Sequence, residues 1–235
     1  MNVTGPSVIS TARGFIPRAV WDAKNIEVAA FAVLLLALNL PLFLGGSTEC
    51  FSYAAQKVAD GEWWRLFTHP FVHVTRYHFL LDGAAFLMLY HGLAEKSRAL
   101  RLGSVLVIAA ASLAVACLAS PLIGIHGLCG LSGVAHGLMA ISALETCAAP
   151  GMDRTTRRLS AIAFLVLIAK CLFEMLTGDA LFASLHAGSV GVPIVACHAG
   201  GVIGALLWVP ISLRYTRDDT GLESAEIASF RMPRQ

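Results

Sequence analysis

The sequence predicts an all-α membrane protein, a bundle of six transmembrane helices with both termini in the cytoplasm. Three observations lead there. Of 235 residues, 57% are hydrophobic and only 14% charged, against about 25% charged in a soluble domain. The mean hydropathy of +0.71 would leave far too much apolar surface in water for one soluble domain, and it excludes disorder. Second, residues 102–144 contain no Asp, Glu, Lys or Arg, a run long enough for two crossings of about 20 residues each. Third, the basic residues gather in alternate loops, as the cytoplasmic loops of a membrane protein require. The net charge of +2 excludes a nucleic-acid-binding protein, whose electrostatic footprint would be strongly basic.

Each element then follows in order. Residues 1–27 form a cytoplasmic segment with Arg13, Arg18 and Lys24. The charge-free run Val28–Thr48 gives a first span over 28–46, with no small-residue cleavage site behind it, so it reads as retained. Trp63, Trp64 and Phe67 mark an interfacial segment at headgroup depth, with Arg65 placed for lipid phosphate or backbone carbonyls. The second span covers 77–94 and carries Asp82. Lys96, Arg98 and Arg101 follow on the cytoplasmic side. Spans three and four, 102–122 and 131–149, form a hairpin. Arg154, Arg157 and Arg158 return the chain to the cytoplasm. The fifth span, 159–178, holds Lys170 and Glu174, and the sixth covers 190–212 within the charge-free run Ala180–Leu213. A polar cytoplasmic tail, 213–235, carries Arg214, Arg217, Arg231 and Arg234. The core is therefore 28–212. The six cysteines form no metal-ligand pattern and no disulfide framework; Cys117, Cys147, Cys171 and Cys197 lie inside apolar runs.

Polar groups inside a bilayer are expensive and mark function by default. Here they gather at the outer ends of spans two, four and six, all of which run inward. His69, His73, His78 and Asp82 cluster at the second span, Ser132 and His136 at the fourth, and His198 at the sixth. A serine hydroxyl becomes a nucleophile when a base takes its proton, and histidine is the usual base. Ser132 at a helix N-terminus adds unpaired backbone N–H groups and the positive end of a dipole, which suit an oxyanion. His78 and Asp82, spaced i and i+4, share one helix face. Gly200, Gly201 and Gly204 allow the sixth span to pack closely on the fourth.

These residues resemble the rhomboid intramembrane serine proteases. The likeness covers the six-span core. It rests on Trp64-Arg-Leu-Phe-Thr-His69-Pro-Phe-Val-His73 with His78 and position 82, on Gly130-Leu131-Ser132-Gly133 as the GxSG nucleophile motif, and on His198 with Gly201 three residues on. The resemblance implies a Ser132–His198 dyad without a third acid. It implies an oxyanion hole from the Ser132 N–H with the side chains at 78 and 82, and no metal or organic cofactor. Two positions depart from the family pattern. Position 82 is Asp where Asn is usual, and an ionised Asp accepts but cannot donate a hydrogen bond. Position 136 is His where a Tyr usually packs on the base. The run Gly-Leu-Ser-Gly-Val-Ala-His136-Gly resembles the rhombosortase branch, bacterial inner-membrane enzymes that process C-terminal Gly-Gly sorting tails of secreted proteins.

The expected function is cleavage of single-span membrane substrates near the outer face, with Ser132 as nucleophile and His198 as base. His136, one turn below Ser132, competes for the base role but suits stacking and tuning of His198. Asp82 either donates as a neutral acid or, ionised, orients His78 or His136. His69 and His73 shape the outer loop; His91, His126 and His186 snorkel or are solvated. Lys170 and Glu174 form a paired buried charge or, alternatively, touch a substrate tail. Two rival classes remain: a client-binding pseudoprotease, and a transporter with a His/Asp proton relay, for which the inner halves of the spans offer little beyond His91 and Ser142.

Overall fold

A computed structural model describes residues 23–181, 183–185 and 187–212. The expectations for the cytoplasmic tail, His186 and the N-terminal Arg13 and Arg18 lie outside them. The long helices are α1 (Ala23–Phe43), α4 (Arg76–Gly92), α5 (Arg98–Ala119), α7 (Ser132–Ala148), α8 (Arg154–Thr177) and α9 (Ala196–Ser212). Three short helices lie in the connections: α2 (Ala55–Ala59), α3 (Arg65–Thr68) and α6 (Ile123–His126). Among the described residues the extended pairing is a single bridge, Tyr53 to Leu128.

Helices α1, α5 and α8 have the length and composition to cross a membrane. Helices α4 and α7 have 17 residues each, about 26 Å at the α-helical rise and the short limit of a spanning helix. Side chains such as Leu36, Leu118, Leu165 and Leu176 stand exposed on the helix flanks, as lipid-facing residues do.

The boundaries shift from the predicted ones where a charge finds a partner. Within the described residues helix α1 runs from Ala23, ahead of the expected 28, and so includes Glu27. That carboxylate is 3% exposed, takes two bonds from Arg101 at 2.7 and 2.9 Å, and accepts from the Tyr90 hydroxyl at 2.6 Å. Helix α5 likewise begins at Arg98 and draws Arg101 inside, where its guanidinium also caps the carbonyls of Glu95 and Lys96. Helix starts are capped as physics prefers: Thr75 for α4, Ser97 for α5 and Asp153 for α8 each accept from a first-turn amide. Arg65 is buried and bonds the carbonyls of Glu49 and Ser52 at 2.6 Å each, which selects carbonyls over lipid phosphate as its partner. Trp63, Trp64 and Phe67 are exposed beside it.

Helix α9 starts later than expected. Pro193 has no N–H and biases the residue before it toward extended backbone. The amides of Cys197 and His198 then bond Ile194 and Val195. His198 therefore sits in the first turn of α9, not a third of the way along a span starting at 190.

Helix α7 is central and packs against α4, α5 and α8, while α1 packs on α4. Glycine allows the closest approaches. A Cβ on Gly201 would collide with the Gly133 carbonyl of α7, and one on Gly133 with the Ser112 hydroxyl of α5. Gly200 and Gly204 face Ala111 and Ile108 of α5, so of the three α9 glycines only Gly201 serves the predicted contact with α7. In lipid such close backbone packing, not hydrophobic burial, holds helices together.

Candidate active site

Ser132 is the first residue of α7, and the loop before it is held from two sides. The Gly130 amide donates to the His69 carbonyl at 3.1 Å. Leu128 exchanges both backbone hydrogen bonds with Tyr53, at 2.9 and 3.1 Å. Gly130 has φ +102°, a conformation that L side chains rarely adopt. A Cβ there would also approach His78 Nε2 to 2.8 Å and Asp82 Oδ2 to 3.0 Å. The glycine thus lets the α4 side chains lie against the serine loop. Leu131, the N-cap of α7, makes no side-chain capping bond, so the first-turn amides are left as unpaired donors.

His198 reaches the serine from the facing helix. Its Nε2 lies 3.1 Å from Ser132 Oγ. The start of α9 is pinned to α5 by the Ser112 hydroxyl, which donates to the Cys197 carbonyl at 2.6 Å. The Cys197 thiol lies 3.7 Å from Ser132 Oγ; nothing in its apolar surroundings singled it out in the sequence.

The other face of His198 holds a carboxylate that the expected dyad lacks. Glu174 Oε2 lies 2.7 Å from His198 Nδ1. Glu174 is fully buried. It also accepts from Lys170 Nζ at 2.7 Å on both oxygens and from the Leu181 amide at 2.9 Å. The expected Lys170–Glu174 ion pair is therefore present, but Glu174 has no free surface for a substrate tail. Both charges sit late in the fifth span, at the end of the bundle where Ser132 lies, but their i,i+4 spacing already accounted for them as a pair.

His136 stacks on His198, with centroids 4.0 Å apart and planes 11° off parallel. Its Nδ1 lies 2.6 Å from the Ser132 carbonyl of its own helix. The ring thus packs on His198, and its Nδ1 meets that carbonyl, not Ser132 Oγ. Asp82 Oδ2 sits 3.1 Å from His78 Nε2 and 3.8 Å from His73 Nε2, within ion-pair distance but off-line for a hydrogen bond. Of the two partners proposed for Asp82, the structure shows His78. His73 is anchored by Asn39 of α1 at 3.1 Å, a contact the sequence did not suggest. Buried His69 turns Nδ1 to the carbonyls of Arg65 and Leu66, in keeping with a loop-shaping part, while His91 and His126 are exposed.

Ser132, His136, His198, Glu174, His78 and Asp82 all line one cavity of about 360 Å³. His136, Glu174 and His198 bring one ligand atom each within 4.8 Å of one another. Both His198 nitrogens are already engaged by Ser132 and Glu174, so a cation there would have to displace one of them. The arrangement as it stands suits proton transfer between a hydroxyl and an imidazole.

A comparison with individually characterised proteins gives no match. The sequence profile of the Rhomboid domain matches residues 60–215, which takes in α4 through α9 and with them Ser132, His198, His78 and Asp82. On that match the chain, an integral membrane protein, belongs to the rhomboid family.

Proposed function

We propose that this chain is a six-span intramembrane serine endopeptidase of the bacterial inner membrane, with a core of residues 28–212 and both termini cytoplasmic. One observation carries the reading: Ser132 Oγ and His198 Nε2 meet at 3.1 Å, from the first turns of two helices, on the wall of a cavity. Ser132 attacks the scissile carbonyl of a single-span substrate near the outer face. The Oγ proton passes to His198 Nε2, and the carbonyl electron pair moves onto oxygen. Collapse breaks the C–N bond as His198 protonates the leaving amine. Water entering the cavity then resolves the acyl-enzyme with His198 again as base.

The Ser132 N–H and His78 hold the oxyanion. His78 Nε2 is the ring edge turned toward Gly130, and its off-line pairing with Asp82 leaves that N–H free to swing to an incoming oxygen. Asp82 orients His78 rather than donating itself. His136 keeps the His198 ring in plane by stacking, the part that a Tyr plays elsewhere in the family. That His136, in the run Gly130–Gly137, supports a rhombosortase that acts on tails with Gly-Gly, an apolar span and a basic cluster.

The test is co-expression with a secreted reporter carrying such a tail. Wild type should release the reporter and Ser132→Ala should not. Replacing Gly-Gly by Val-Val should block release. Equal release of the Val-Val reporter would contradict the branch assignment, and release by Ser132→Ala would contradict the protease reading.

A further inference from the structure

We infer that Glu174 is a positioning residue for His198, so that this chain works through a Ser132–His198–Glu174 array with Lys170 behind it. The inference rests on the protease reading above and concerns what sets the state of its base.

A neutral imidazole has two tautomers, and only one can act on the serine. Nε2 must carry the lone pair that faces Ser132 Oγ, so the proton must reside on Nδ1. Two groups compete for Nδ1. Glu174 Oε2 lies at 2.7 Å and accepts a proton there, fixing the productive tautomer. Lys170 Nζ lies at 3.4 Å and would donate, fixing the wrong one. The shorter contact decides between them, and Lys170 already has both Glu174 oxygens at 2.7 Å.

The carboxylate is itself held in place from three directions. The Leu181 amide and the Lys170 ammonium bond Oε1, the ammonium reaches Oε2 as well, and His198 takes the remaining direction on Oε2. Glu174 has no solvent exposure, so an unpaired carboxylate would be costly there. Lys170 supplies the counter-charge, and its side chain, 22% exposed, keeps contact with the cavity. During attack the Oγ proton moves to Nε2, giving an imidazolium with protons on both nitrogens. The Glu174 carboxylate stabilises that cation without taking its proton, and the Nε2 proton then leaves with the amine. The positive charge created in the reaction thus forms 2.7 Å from a fixed negative one.

The test compares wild type, Glu174→Gln, Glu174→Asp and the double variant Glu174→Gln/Lys170→Met, in nanodiscs, by inactivation kinetics with a fluorophosphonate and by NMR of ¹⁵N-histidine-labelled protein. The double variant removes both buried charges, so it separates loss of positioning from failure to fold with an unpaired lysine. Wild type should show a low-field Nδ1–H resonance from His198 that survives Ser132→Ala and disappears in both Gln variants. Glu174→Gln should lower the maximal inactivation rate by about 10²–10⁴-fold with the probe's half-saturation concentration unchanged, and Glu174→Asp should recover part of the rate. A merely structural Glu174 would lower the unfolding temperature and leave the rate of the folded fraction intact; that result overturns the proposal. So does wild-type reactivity in a folded double variant. Wild type unreactive at Ser132 would overturn the protease reading and the proposal with it, whereas reactive wild type with indifferent Gln variants overturns the proposal alone.

Discussion

The two ends of the helix bundle both bury charge, and they treat it oppositely. At the Glu27 end, Glu27, Arg101 and Tyr90 close a network in which the carboxylate takes three bonds and the guanidinium spends its donors on Glu27 and two carbonyls. At the Ser132 end, four buried side-chain atoms have no hydrogen-bond partner among the described residues: His73 Nε2, His78 Nδ1, Asp82 Oδ2 and His136 Nε2. Buried polar groups are normally satisfied, and those that are not need a reason. The closed network stitches α1, α4 and α5 together, and although a cavity of about 410 Å³ lies beside Arg101, the network's own polar groups are spent on one another and on two carbonyls. The open cluster surrounds a cavity with Ser132 and His198 on its wall. Incomplete satisfaction, more than charge content, separates the site from the scaffold.

Variants sharpen that contrast. The largest effect is expected at the Ser132 end: His198→Ala should lower cleavage on the order of 10⁴-fold or more with little change in unfolding temperature. His78→Ala should follow, at about 10²–10³-fold in kcat, the usual cost of one oxyanion donor; an unchanged kcat would remove His78 from the oxyanion hole. The Glu27 end should respond in stability instead. Glu27→Ala strands Arg101 in a buried site and should cost about 3 kcal/mol, read by unfolding in detergent, while the folded fraction keeps its kcat. If Glu27→Ala instead cut kcat in a stable protein, the two ends would not be separable.

A further effect is in pH. His69 and His73 lie in the loop ahead of α4. Burial pushes the His69 imidazole down from the usual 6.5 to about 4, and burial with the neighbouring His78 pushes His73 to about 3. Their folded values lie below the unfolded one, so the fold holds both rings neutral. Their contribution is complete above 6.5 and is lost as the pH falls from there toward 4. The unfolding temperature should be lower at pH 5 than at pH 7.5, with a shallower slope in His69→Gln. A flat profile would mean that these rings are not held neutral.

How much of this was legible in the sequence depended on whether the physics was local. The long helices were, because stretches free of charge announce them. Their ends were misplaced where tertiary pairing admits a charge that composition alone would expel, as at Glu27 and Arg101, and where Pro193 delays α9. Ser132 and His198 were legible through their motifs and their common depth. The Glu174–His198 contact was not. It joins two helices 24 residues apart in sequence, and the i,i+4 spacing of Lys170 and Glu174 offered a complete local explanation that hid the third partner. Gly200 and Gly204 failed for the same reason: a small-residue stripe shows that a neighbour comes close, not which one.

On the proposed function, His198 makes Ser132 a nucleophile. The most direct measurement is mass-spectrometric mapping of the fluorophosphonate adduct on the protein in nanodiscs, for wild type and for a folded His198→Ala variant. One adduct is expected, on the peptide containing Ser132, absent when His198 is alanine. An adduct elsewhere, or one on Ser132 that forms equally well without His198, would contradict it.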